Sequence, residues 1–279
     1  MQMSWIATGR KALWAVAVAA VAAHGARADV VVYSNDGPPG DAVTGSGDSS
    51  VAIGTSGWSY SNLRPGATIG ISNSTAGFNV NYAPLGDGSV VFRSVDGTAK
   101  ADINYDTDGT HLLSELTQLS YDWYRDSSSD NPGAQAPSLR LYVSDGVNQG
   151  YLVWEPTYNG MPGNVTTDAW VSSNAFAAGQ DKFWATGSLP GAAPPEIGLK
   201  SIADWKSELG GYAVLAVNSG VGSGWNGTFL GAVDNIAYGF HNQTVTTNFE
   251  VVPEPSSIAM GLIAGGLGLA ASIRRRRSR

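Results

Sequence analysis

Short β-prone runs recur along the chain at intervals of roughly ten residues, divided by clusters of Gly, Asp, Asn and Ser. The runs at 30–33, 78–82, 90–95, 101–105, 116–125, 139–143, 151–154, 183–186, 212–217 and 233–240 predict strands. Several alternate with a period of two. Leu139, Leu141 and Val143 would face one side and Arg140 and Tyr142 the other; Leu119, Tyr121 and Trp123 would likewise oppose Ser120 and Asp122. Such alternation marks half-buried strands of antiparallel sheet. Asp87-Gly88, Asp96-Gly97, Asp108-Gly109 and Asp145-Gly146 supply turns between them. One helix is predicted at 201–209. Ile202, Trp205 and Leu209 share a face, Ser201 and Asp204 form a capping box, and Gly210-Gly211 ends it. The pattern predicts an all-β chain: a two-sheet β-sandwich of jelly-roll type with one short helix.

Two apolar runs break this pattern, one near each end. Arg10 and Lys11 precede the short run 12–23, and Ala26-Arg27-Ala28 follows it. A charged start, a short apolar stretch and a small-residue site make a secretory signal peptide over 1–28, with Ala26 and Ala28 presented to signal peptidase and cleavage after Ala28. At the other end Pro253-Glu254-Pro255 precedes the apolar run 256–273, which is followed by Arg274, Arg275, Arg276 and Arg277. That run of about 18 residues would form a helix of about 27 Å, enough to cross a bilayer core. The four arginines would hold its end in the cytoplasm. The remaining chain divides into a β-sandwich domain at 29–241, a short polar linker at 242–252 and the tail at 253–279.

Charge sharpens this division. The whole chain is at −7, but residues 29–252 hold 8 basic and 22 acidic side chains and stand near −14. An acidic, basic-poor domain argues against nucleic acid as a partner and is compatible with divalent cations. The chain has no cysteine, so disulfides and thiolate sites are excluded. Only His111 and His241 remain after signal cleavage, which predicts no histidine-rich metal site.

The order Pro-Glu-Pro, apolar span, arginine block closely resembles the PEP-CTERM sorting signal of Gram-negative bacteria. The resemblance implies transient anchoring in the inner membrane, cleavage by exosortase, and release or attachment at the cell surface in the extracellular polysaccharide matrix. Leu85-Gly-Asp-Gly-Ser-Val-Val-Phe92, Leu119-Ser-Tyr-Asp-Trp-Tyr124 and Phe229-Leu-Gly-Ala-Val-Asp-Asn-Ile236 resemble jelly-roll lectin-like or carbohydrate-binding-module-like domains of secreted bacterial proteins. That second resemblance implies a structural calcium held with the help of Asp234. An Asp inside an apolar strand also calls for a reason of its own.

Other patterns are weighed against it. Asn104, Asp106, Asp108, Gly109 and Glu115 have the spacing of an EF-hand loop, but the flanks read as strands, so an acidic turn is the plainer reading. Gly222-Ser-Gly224-Trp-Asn-Gly227 matches a dinucleotide-binding glycine pattern, but strand rather than helix follows it. Trp58 and Trp225 stand in glycine-rich loops and are the candidates for stacking on sugar rings; Trp123 and Trp205 read as core. Glu155 and Glu196 could serve a glycosidase, yet no hydrolase signature accompanies them, and no Gly-x-Ser-x-Gly elbow is present. The sequence thus predicts an exported non-catalytic protein, with a polysaccharide-binding lectin-like module and a secreted glycoside hydrolase as the alternatives.

Overall fold

The computed structural model describes residues 27–253, apart from 48 and 74–85. The strands in chain order are β1 (Arg27–Tyr33), β2 (Val43–Thr44), β3 (Ser49–Ala52), β4 (Trp58–Leu63), β5 (Ala67–Ser72), β6 (Ser89–Ser94), β7 (Ala101–Asp106) and β8 (Leu116–Arg125). They continue as β9 (Ser138–Ser144), β10 (Gln149–Trp154), β11 (Val171–Asn174), β12 (Lys182–Ala185), β13 (Lys200–Ser201), β14 (Ala213–Val221), β15 (Phe229–Phe240) and β16 (Gln243–Glu250). The single turn α1 (Pro195–Gly198) and the helix α2 (Ile202–Leu209) lie between β12 and β14.

Among the described residues these strands form two eight-stranded sheets. In the first, the long β15 is flanked on one side by β8, which carries β11. Its other side pairs with β6 through its first half and β16 through its second. The second runs β13-β12-β10-β9-β14-β7-β4-β3. Pairing is antiparallel except at β1, which lies parallel to β16.

The alternation of the sequence sets the inner faces. Leu139, Leu141 and Val143 are buried from the second sheet, and Leu119, Tyr121 and Trp123 from the first. The sheets meet through edge-on aromatic pairs: Tyr121 with Trp154 at 5.7 Å, and Trp58 with Phe249 at 5.1 Å. Helix α2 begins as its capping box requires, with Ser201 accepting from the Asp204 N–H, and it buries Ile202, Trp205 and Leu209.

One expectation changes. The segment 242–252, read as a polar linker, is mostly strand β16, which buries Thr246, Thr247 and Phe249 and is paired on both edges, so the domain runs on to Val252. Its polar residues suit a strand because neighbours satisfy its backbone on both sides. Beyond it, Val252 N–H still bonds Ser34 Oγ at 3.1 Å, whereas Pro253 is exposed. The cleavage site proposed after Ala28 falls inside β1, where Arg27 and Ala28 stand opposite Thr244 and Val245; Asp29–Tyr33 would keep the remaining pairs. The strand predicted at 78–82, the apolar run 12–23 and the predicted membrane span lie outside the described residues. No helix among the described residues is long and apolar enough to cross a membrane.

Candidate functional site

The outward face of the second sheet carries the chemistry. Register places Trp184, Val153, Arg140, Asn218, Asn104 and Ser59 in one row across six strands. At about 4.8 Å per strand that row is roughly 24 Å long. Beside it Tyr151 and Tyr142 stand opposite one another, rings 4.9 Å apart and tilted by 49°. On the other side Asp102 faces Gly220 and Ser138.

These side chains form one network. Arg140 Nη1 meets Asp102 Oδ1 at 2.7 Å, Nε donates to Ser138 Oγ at 2.6 Å, and Nη2 donates to the Gly220 carbonyl at 3.2 Å. Asn62 donates to the other Asp102 oxygen at 2.6 Å. The Tyr151 hydroxyl meets Asn62 although four strand steps separate β10 from β4, so the face must be concave. Burial, with the Asp102 charge beside it, pushes the Tyr151 phenol up. At the end of the row Trp184 donates its indole N–H to Glu155 Oε2 at 3.0 Å, and burial pushes the Glu155 carboxyl up. Half-buried aromatic rings beside fixed hydrogen-bonding groups in a concavity are what a polar, ring-shaped ligand needs.

Sequence reasoning put Arg140 and Tyr142 on the outward face but did not join them to Tyr151 and Asp102. An outward Arg and Tyr on one strand were the available signal. The tryptophans it favoured lie elsewhere. Trp58 is 3% exposed and packs on Tyr105 and Phe249; Trp225 is 9% exposed and packs edge-on against Phe229. Neither offers a free face, so the stacking role expected of Trp58 and Trp225 is withdrawn: Trp58 opens strand β4 on its inward side, and the loop that carries Trp225 folds inward over the core. Trp123 and Trp205 are core, as expected.

A second concavity of about 790 Å³ lies on the outer face of the first sheet, lined by Gln118, Ser120, Asp122, Asn174, Asn235 and Thr246 among others. It offers hydroxyls and amides but no open ring, since Tyr121 is buried.

Asp234 lies in β15 opposite Asp122, fully buried. A bulge begins here, with Asn235 at φ 49°, and Asp234 Oδ1 accepts from the Phe249 N–H at 2.9 Å. Its Oδ2 has no partner, and neither do the buried side-chain oxygens Asn235 Oδ1 and Asn248 Oδ1. Burial foremost, then Asp122 and Glu250, push the Asp234 carboxyl up to about 8. Orphaned buried oxygens of this kind are what a hard cation such as calcium satisfies, and Asp234 is the residue on which the calcium expectation rests. The EF-hand spacing has no such support. Asn104 and Asp106 sit on β7, bonded to one another at 2.8 Å, Asp108 accepts from Thr110, and Glu115 turns toward His111 and His241.

No curated protein matches the chain in sequence. Among solved structures it is similar to the family 11 carbohydrate-binding module from Clostridium thermocellum in complex with a β-1,3-1,4-mixed-linked tetrasaccharide. Identity there is 12% over 66% of this chain and 92% of that one, at a TM-score of 0.33. It is also similar to a CBM4 structure (14%, 66% and 94%, 0.31) and to the family 11 xylanase from Neocallimastix patriciarum (13%, 73% and 97%, 0.28). These scores are low, and nothing about ligands follows from them. Directly after the last strand, residues 251–277 match the PEP-CTERM protein-sorting motif, so the chain carries a signal that implies export and exosortase sorting.

Proposed function

We propose that the protein is a non-catalytic, exported glycan-binding protein, delivered by its sorting tail to the cell surface and its polysaccharide matrix. The observation that carries this is the Tyr142–Tyr151 pair beside the Arg140–Asp102 network on the concave face. A pyranose ring stacks its apolar face on such rings while its hydroxyls meet fixed polar groups. Signal peptidase would release the N-terminus, the inner membrane would hold the tail, and exosortase would cut near Pro253-Glu254-Pro255.

The test is binding to a panel of polysaccharides by affinity electrophoresis. Tyr142→Ala and Tyr151→Ala should each weaken binding at least about tenfold, or about 1.4 kcal/mol, with melting little changed. Absence of binding to any glycan, or equal binding by both variants, would sink the reading.

A hydrolase is the second reading, favoured by Glu155, whose raised carboxyl would suit a general acid at the end of the same groove. Against it, Trp184 occupies one Glu155 oxygen and Asp102 is neutralised by Arg140. Release of reducing sugar that Glu155→Gln abolishes would establish it.

A further inference from the structure

His111, Glu115 and His241 come together although His241 is far along the chain. Their ligating atoms all lie within 4.8 Å of one another. Glu115 Oε2 stands 3.7 Å from His111 Nδ1 and 3.4 Å from His241 Nε2. We propose that these three residues bind one divalent transition-metal ion of the zinc class. A tetrahedral ion with bonds of about 2.0–2.1 Å separates its ligand atoms by about 3.4 Å, so only small side-chain shifts are needed. Two imidazoles with one carboxylate select zinc, cobalt, nickel or copper over calcium or magnesium, which take oxygen ligands.

The fold holds the three in place before any ion arrives. His111 is stacked on Phe240, centroids 4.4 Å apart and planes within 5°. Glu115 closes a short helical turn, and its Oε2 accepts from the Leu112 N–H at 2.9 Å, fixing the carboxylate. His241 occupies the β15–β16 hairpin turn, where it and Asn242 have φ of 51° and 62°, and its N–H bonds the Glu115 carbonyl at 3.1 Å. Two histidines thus suffice where the sequence predicted no histidine-rich site, because the third ligand is a carboxylate. The ion would keep one position open toward a neighbouring cavity of about 300 Å³ that Tyr105, Tyr238 and Gln243 help to line. There it would accept water or an oxygen of a bound molecule.

The experiment is calorimetric titration of the purified full-length chain with zinc, repeated with cobalt for its visible spectrum. One zinc ion per chain is expected, together with the intense bands of a four-coordinate cobalt ion. His241→Asn keeps a residue that tolerates positive φ, and so keeps the turn. Glu115→Gln keeps an acceptor for the Leu112 N–H. Each should weaken zinc at least about tenfold, the range in which metal sites respond to a lost supporting group. Calcium at the same concentration should not displace the zinc. No stoichiometric binding, equal binding by wild type and His241→Asn, or displacement by calcium would overturn the assignment.

Discussion

The Arg140–Asp102 ion pair bridges β9 and β7 across β14, and it does so over Gly220. Gly220 is the register partner of both Asp102 and Ser138, and a β-carbon there would take the space of Asp102 Oδ1. The glycine therefore keeps open the path of a pair whose acidic member is fully buried.

Gly220→Ala should break that path. The loss of one partner of a buried pair costs about 3–5 kcal/mol, and Gly220→Ala should approach the lower end, since the Asp102 side chain can yield somewhat. Urea unfolding of wild type and variant measures it. A change under about 1 kcal/mol would show that the pair relocates without loss.

Glu155 makes the stability depend on pH. Burial raises its carboxyl, while Trp184 and Arg140 oppose the rise. The native state therefore holds the proton at pH values where the unfolded chain has released it. Stability from this group is fully present below about pH 4.3, the ordinary glutamate value, and is lost as pH rises through the raised native value. Glu155→Gln keeps an acceptor for the Trp184 indole and should flatten this slope in melting curves recorded from acid to neutral pH. An unchanged slope in the variant would assign it to other groups.

Calcium at Asp234 should act through folding. An ion bound to the native state alone adds about 2.7 kcal/mol when free calcium is a hundredfold above its dissociation constant. Adding chelator should lower the melting temperature of wild type, and Asp234→Ala should remove that response. The Asp106→Ala, Asp108→Ala double variant should keep it. Identical melting with and without chelator would dismiss the ion, and loss of the response in the double variant alone would move it to that loop.

The tail should act as a recognised signal. Pro253 and Pro255 fix φ and disfavour helix in the residues before them, so the sequence predicts an extended segment at the signal. Replacing Pro253-Glu254-Pro255 by three alanines should leave membrane anchoring intact and stop processing, as immunoblots of membrane and released fractions would show. Release at the normal rate would refute exosortase recognition.

What the sequence determined by itself is what depends on near neighbours. Period-two alternation in β8 and β9 fixes which side chains are inward, because successive residues of a strand point to opposite faces. The Ser201–Asp204 box starts α2 because both partners lie within one turn. The sorting motif is legible because it is linear. Tertiary structure decided the rest. β16 has too few apolar residues to announce a strand, and it forms because β15 and β1 take up its backbone groups on both edges. Trp58 and Trp225 are inward because of what packs against them, which the glycines around them do not reveal. Asp102, Arg140 and Tyr151 meet on one face, and His111, Glu115 and His241 at one hairpin, through strand order and sheet curvature. Those follow from pairing between distant segments, so no local stretch of the chain encodes them.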